Sequence, residues 1–183
     1  MKYVSVLLAT LSFSCATSRA QTTQAPDFLA RPAATIRQVK PEVSQEVIEA
    51  DKQAILVSYP RVIERYTGGG FSKKDAEDAT IACWLDLRLG TNALPSAHPV
   101  SAAEFTRAVA KLGKLTVNSR PSNANIKVNT DEWKEKTDTS KWTPEGQKEV
   151  EVSLTGYIPH RETCLVKEMS NTVVNARLRR KFP

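Results

Sequence analysis

The sequence predicts an α+β protein with a small helical domain followed by a C-terminal antiparallel β-sandwich. Up to Gly113, apolar residues recur at intervals of three and four, which is typical of amphipathic helices. From Lys114 onward, apolar and polar residues alternate, as in strands that bury one face. We therefore expect a helical domain over residues 41–112 and a sandwich over residues 113–178.

Capping signals divide the first domain into helices. A stripe of Val and Ala predicts a first helix over residues 41–57, and Pro60 should interrupt it before a short second piece. Ser72 with Asp75 predicts the start of the next helix, and Gly90 its end. Ser101 with Glu104 predicts the start of the last helix before the sandwich.

The first 40 residues favour export. Residues 1–20 combine Lys2, a short apolar run and the small-residue motif Ser18-Arg19-Ala20, which is typical of a secretory signal peptide. Residues 21–40 contain Pro, Thr, Gln and Ala without periodicity, so we expect a flexible linker. The sequence also lacks an apolar run long enough to span a membrane.

The three cysteines leave two questions open. Cys15 follows Ser14, as a lipidated cysteine would, but Ser12 and Phe13 do not fit a lipoprotein signal. Cleavage after Ala20 is favoured, and membrane attachment is expected only with lipidation at Cys15. Cys83 and Cys164 could form a disulfide after export, or could be two separate apolar residues, which their neighbours favour.

The charge balance is mildly basic. The chain carries a formal charge of +6. Two of the basic residues that contribute to this charge, Lys2 and Arg19, lie in the predicted leader. Residues 179–183 form a basic tail in which Arg179, Arg180 and Lys181 could contact phosphate groups, although a solvated tail without a partner is the simpler interpretation. Export and the lack of aromatic residues among the basic ones argue against nucleic-acid binding.

Strands are expected near residues 114–120, 124–130, 147–155, 161–168 and 172–178. Ten apolar residues should face inward: Leu115, Val117, Ile126, Val128, Val150, Val152, Leu154, Val174, Ala176 and Leu178. The polar insert at residues 134–143 is expected to be mobile. The flanking Trp133 and Trp142 could cap the edge of the sandwich or form an exposed stacking platform for sugar rings.

The alternating region resembles the PEGA domain, a small β-sandwich module that recurs in bacterial envelope proteins. The positions that match its pattern are Leu115, Val117, Ser119, Pro121, Ala124, Ile126, Val128, Gly146, Val150, Val152, Gly156 and Tyr157. The tetrapeptide that names the family is replaced by Pro121-Ser122-Asn123-Ala124, and the charged insert at residues 134–143 is longer than usual. The resemblance implies an envelope location and a binding or structural role.

No catalytic pattern accompanies this resemblance. His98 and His160 lack a second ligand at metal-binding spacing, and His160 and Cys164 are about 13 Å apart on an extended strand. Asp75, Glu77 and Asp78 cluster at a helix start, where capping explains them. We therefore expect neither an enzyme nor a cofactor.

Two functions remain open at this point. The first is an exported protein of the periplasm or cell envelope that attaches to a cell-wall or surface polymer, or to an envelope protein, through its PEGA-like domain. Trp133, Trp142, Arg179, Arg180 and Lys181 are its candidate contact residues. The alternative is an accessory subunit or inhibitor that docks on a periplasmic protein through its helical domain.

Overall fold

The computed structural model of the protein describes residues 27–90 and 92–181. The predicted signal peptide and Cys15 lie outside these residues. A 3₁₀ turn, Asp27–Leu29, leads into four helices: α1 Ala30–Val39, α2 Gln45–Gly68, α3 Lys73–Leu89 and α4 Ala102–Ala110. No helix in the described ranges has both the length and the apolar composition needed to cross a membrane.

The prediction of a flexible linker over residues 21–40 is wrong where the structure describes this segment. Leu29, Ala33 and Ile36 are buried, and their spacing of four and three residues forms the inner stripe of α1. Pro32 lies in the first turn of α1, where its missing N–H would have no partner within the helix. Pro32 therefore marks the beginning of a packed helix.

Helix α2 is longer than predicted because it continues through Pro60. Its buried stripe runs from Val47 to Tyr66 on both sides of the proline. Tyr66 also donates a hydrogen bond through its hydroxyl to the carbonyl oxygen of Val109, at 2.9 Å. Packing against the other helices thus outweighs the hydrogen bond that a proline removes from a helix.

Both predicted capping boxes are confirmed. The Ser72 hydroxyl accepts from the Asp75 N–H at 3.1 Å, and the Asp75 carboxylate accepts from the Ser72 N–H. Ser101 and Glu104 make the same reciprocal pair at the start of α4. These side chains satisfy N–H groups that have no partner within the first turn of a helix.

The C-terminal part of the described chain forms nine strands. They are β1 Leu112–Arg120, β2 Asn125–Val128, β3 Asp131–Glu132, β4 Thr139–Pro144, β5 Gly146–Ser153, β6 Tyr157–Ile158, β7 His160–Val166, β8 Asn171–Arg177 and β9 Arg179–Arg180. One sheet has the order β4-β1-β8 and a second has the order β3-β2-β5-β7, while β6 and β9 form a short ribbon.

Two details of the sandwich differ from the prediction. Strand β1 pairs with β8 in parallel, whereas the remaining strand pairs are antiparallel. The insert at residues 134–143 was predicted to be mobile, but its second part begins β4, which pairs with β1 along six residues. Apart from Trp142, the residues of the insert are polar and give no strand pattern in sequence, and its place in the sheet comes from backbone pairing with β1.

The predicted inner face is confirmed at nine of its ten positions. Leu115, Val117, Ile126, Val128, Val150, Val152, Val174, Ala176 and Leu178 are buried in one cluster, and Leu154 is partly buried beside it. The two sheets therefore enclose a core of their own, separate from the core between the helices.

The helical and β parts are in direct contact. Lys114 on β1 donates to the Asp75 carboxylate at the start of α3, at 2.7 Å. Burial raises the pKa of Asp75, but hydrogen bonds from Lys114 and Ser72 outweigh it and hold that pKa below its ordinary value. The capping residue of α3 thus also ties the helix to the sandwich.

Candidate functional site

Arginine side chains are concentrated at the end of the sandwich where β1 and β8 terminate. Because β1 and β8 are parallel and in register, Arg120 lies beside Arg177 and Asn118 lies beside Asn175. The Asn118 side-chain amide donates to the Asn175 side-chain oxygen at 3.0 Å. We call Arg120, Arg177 and Arg179, with these two asparagines, the arginine surface.

The predicted free tail is instead held in place as far as the structure describes it. Arg179 and Arg180 form β9, which pairs with Tyr157 and Ile158, and the Lys181 N–H donates to the Gly156 carbonyl oxygen at 2.9 Å. Leu178, between Arg177 and Arg179, is buried. The backbone thereby fixes both arginines at the rim of the sandwich, which a solvated tail would not do.

Two open clefts meet on the arginine surface. One, of about 680 Å³, is lined by Arg120 and Arg177, and the other, of about 740 Å³, by Arg177 and Arg179. Arg177 and Asn175 belong to both. A ligand that follows the surface would therefore meet three guanidinium groups in succession.

The arginine surface is electrostatically unbalanced. Arg120, Arg177 and Arg179 are exposed, and none forms a salt bridge within residues 27–90 and 92–181. Asp138 lines the first cleft, where its carboxylate accepts from the Ser119 N–H at 3.3 Å. Guanidinium groups bind phosphate and carboxylate oxygens in a two-pronged geometry, so the surface is chemically suited to an anion.

Sequence reasoning found Arg179 and Arg180 but missed Arg120. The Arg180 guanidinium points to the Tyr157 hydroxyl, with 3.4 Å between Nε and the oxygen. Arg120 is 57 residues before Arg177 and joins it through the parallel pairing of β1 and β8. The sequence carries a signal for this, since Arg120 ends one predicted strand and Arg177 is the penultimate residue of another, but only the strand order brings them together.

The tryptophans do not form an exposed platform. Trp142 is buried, and its ring contacts Tyr66 and Phe71 edge-on with centroid distances of 5.1 and 5.2 Å. Of the two alternatives, Trp142 does not fit the exposed platform, because the helical domain covers it. Trp133 is partly buried, and the Lys141 ammonium lies 5.0 Å from the centroid of its ring.

The two remaining cysteines are free thiols. Cys83 is buried in the helical core, and Cys164 packs partly buried against the sandwich core. Burial raises the pKa of both thiols. Of the two alternatives, the structure therefore has separate apolar residues and not the Cys83–Cys164 disulfide.

The histidines lie at the surface. His98 is 3.8 Å from the Glu104 carboxylate, and His160 is 3.3 Å from that of Glu162. Cys164 lies on the same strand as His160, four residues away. Within the described ranges no three His, Cys, Asp or Glu residues are placed to hold a metal ion.

Sequence reasoning missed a buried ion pair in the helical domain. The Arg88 guanidinium donates to both carboxylate oxygens of Asp51, at 2.7 and 2.6 Å. The Trp84 indole and the Val100 N–H also donate to this carboxylate, each at 2.8 Å. The four groups connect α2, α3 and the loop before α4, so the cluster organises the helices and offers no access to a ligand.

The comparison with known protein families agrees with the sandwich. Residues 112–181 match the family model described as the PEGA domain, which confirms the resemblance seen in the sequence. The match begins with β1 and ends just after β9, and it covers less than half of the chain. A search of curated proteins found no match.

Proposed function

We propose that this protein is an exported, non-catalytic binding protein that attaches to a phosphate-bearing polymer of a bacterial envelope through its PEGA domain. The observation that carries the proposal is the arginine surface, where three exposed guanidinium groups, none in a salt bridge with another described residue, line two joined clefts. The predicted signal peptide and the family match support an envelope location.

The chemistry of the surface favours a polymer over a small anion. The clefts are open, so they would bury little of a small ligand, and the three arginines are spread along the rim of the sandwich. Repeated phosphate groups on one chain would engage the arginines together, which multiplies weak individual contacts. The paired amides of Asn118 and Asn175 could add hydrogen bonds to hydroxyl groups of the polymer.

Replacing Arg120, Arg177 and Arg179 with glutamine is expected to lower binding to purified cell-wall sacculi with their attached anionic polymer by about tenfold. The three charges supply most of the proposed attraction, so the remaining binding should also depend less on salt. Co-sedimentation of the full mature chain at low and high salt measures both effects.

The matched control replaces Arg61, Arg65 and Arg107, three exposed arginines of the helical domain, with glutamine. Both variants lose the same charge, so equal losses would reduce binding to general electrostatic attraction and contradict a specific surface. Loss in the control variant alone would move the function to the helical domain.

A second candidate function is docking on an envelope protein through the helical domain, which binding to sacculi does not measure. The groove between α2 and α4 favours it, because Arg61 and Arg107 line this groove together with the exposed Val57 and the small residues Ala102 and Ala103. The groove resembles a contact surface in combining an exposed apolar residue with arginine side chains. The arginine surface brings three exposed arginines together along two joined clefts, whereas the groove has two, and for this reason polymer binding is the function we favour.

A further inference from the structure

The first cleft of the arginine surface contains a carboxylate. Asp138 lines it together with Arg120 and Arg177, and forms no salt bridge with either arginine. The second cleft has Arg177 and Arg179 in its wall and no acidic side chain among the described residues that line it. The two clefts therefore differ chemically: the second favours an anion throughout, whereas Asp138 repels an anion that comes close to it in the first.

Asp138 is held in a fixed position beside β1. Its N–H donates to the Val117 carbonyl oxygen at 2.9 Å, and one oxygen of its carboxylate accepts from the Ser119 N–H at 3.3 Å. The preceding residue, Thr137, is buried, and its hydroxyl accepts from the Ala124 N–H at 2.9 Å. The second carboxylate oxygen of Asp138 makes no hydrogen bond with another described residue. Because the side chain is exposed, this oxygen can accept from a ligand in the cleft.

The asparagine pair in the same cleft supplies a donor and a further acceptor. Nδ2 of Asn118 donates to Oδ1 of Asn175 at 3.0 Å. This bond leaves Oδ1 of Asn118 and Nδ2 of Asn175 without a partner in the described part of the chain, and both side chains line the cleft. A hydroxyl group can donate one hydrogen bond and accept others. Together with Asp138, the pair therefore offers the mixture of acceptors and donors that hydroxyl groups need.

We propose that Asp138 is a specificity-determining residue of the arginine surface, and that the first cleft selects a hydroxyl-bearing unit next to a phosphate group. The phosphate groups contact the arginines, while the hydroxyl groups of the linking unit donate to Asp138 and Asn118. The inference rests on the proposed function and names the class of polymer, a phosphodiester with a hydroxylated repeating unit. A polyanion without hydroxyl groups would place charge beside Asp138 and gain no hydrogen bond there.

Two synthetic phosphodiester oligomers of equal length isolate the hydroxyl group. One is built from glycerol linked through its terminal carbons, and the other from the diol that lacks the middle hydroxyl group of glycerol. The two oligomers therefore share their backbone and charge. The full mature chain is titrated into each oligomer, labelled with fluorescein at one end, at a fixed salt concentration. We expect fluorescence anisotropy to show that the glycerol oligomer binds at least about fivefold more tightly.

Asp138→Asn tests the carboxylate itself. The backbone of Asp138 has a φ of 67°, in the left-handed region that asparagine tolerates, and an amide oxygen can still accept from the Ser119 N–H. The variant should bind the diol oligomer more tightly than the wild-type chain does, because the repulsion of phosphate is removed. Its preference for the glycerol oligomer should fall below about twofold. A misfolded variant could not produce this gain in binding.

The matched control is Asp131→Asn, which removes the same charge from an exposed residue that lines neither cleft. This variant should keep the wild-type preference for the glycerol oligomer. Loss of the preference in the control as well would reduce the effect to net charge and contradict a role of Asp138.

The outcomes distinguish this inference from the function on which it rests. Equal binding of the two oligomers by the wild-type chain, or an unchanged preference in Asp138→Asn, would overturn the inference alone, provided that replacing Arg120, Arg177 and Arg179 with glutamine still weakens binding. If the wild-type chain bound neither oligomer, or if the arginine variant bound both as tightly as the wild-type chain, the proposed function would fail together with the inference.

Discussion

Arg88→Met is expected to lower the free energy of unfolding by about 3–5 kcal/mol, the largest effect of a single polar substitution in this chain. Asp51 and Arg88 are almost completely buried, with side-chain exposures of 0% and 1%. Methionine would leave the Asp51 carboxylate in the core with the Trp84 and Val100 N–H groups and no counter-charge. Urea denaturation followed by circular dichroism measures the loss.

Two further variants identify the cause of that loss. Combining Arg88→Met with Asp51→Leu removes both charges, so the double variant should be more stable than Arg88→Met alone. Arg65→Met, at an exposed position of α2, should change stability by less than about 0.5 kcal/mol. A small effect of Arg88→Met would mean that Asp51 is not held as a buried charge.

Trp142→Ala is expected to cost about 3–5 kcal/mol, because truncation of a buried tryptophan leaves a large cavity. Trp142 is 9% exposed and contacts Tyr66 and Phe71, which ties β4 to the helical core. We also expect the variant to unfold less cooperatively, since this contact joins the two parts. Thermal and urea unfolding, followed separately by helix and tryptophan signals, measures both changes.

Trp133→Ala provides the comparison. Trp133 is only partly buried at the edge of the sandwich core, so its loss should be smaller and should leave the cooperativity intact. If the two variants were equally mild, Trp142 would be no more than a surface residue, and the contact between helices and sandwich would not contribute to stability.

Local signals in the sequence were sufficient for much of the fold. Both capping boxes involve residues three apart, and nine of the ten predicted inward positions in the sandwich are buried. Such features depend on neighbours in the chain, which is why periodicity predicts them. The same reasoning failed at residues 27–39, where Pro32 and the polar residues suggested a linker and the stripe of Leu29, Ala33 and Ile36 was overlooked.

Contacts between residues that are far apart in the sequence could not be predicted from periodicity. Asp51 lies in the apolar stripe of α2, and Arg88 follows Trp84 by one turn of α3. These positions indicate that each helix buries one charged residue, but they do not indicate that the two residues pair with each other. Burial of Trp142 requires the helical domain to cover β4. In each case the sequence separation exceeds 30 residues, so the packing of elements decides the outcome.

The candidate site illustrates the same limit. The basic residues at the end of the chain were visible in the sequence, but their interpretation as a free tail was not correct for Arg179 and Arg180. Arg120 and Asn118 joined the site only through the parallel pairing of β1 with β8. To predict a binding surface that is built from strand ends, one therefore needs the order of the strands in the sheet as well as the identity of the residues.

We propose above that the arginine surface recognises phosphate groups on an envelope polymer. The most direct test of this proposal is co-sedimentation of the full mature chain with sacculi before and after chemical removal of their phosphate-linked polymer, at one fixed salt concentration. We predict that binding falls at least tenfold when the phosphate groups are removed, and that the variant lacking Arg120, Arg177 and Arg179 binds both preparations equally weakly. Undiminished binding of the wild-type protein to phosphate-free sacculi would contradict the account.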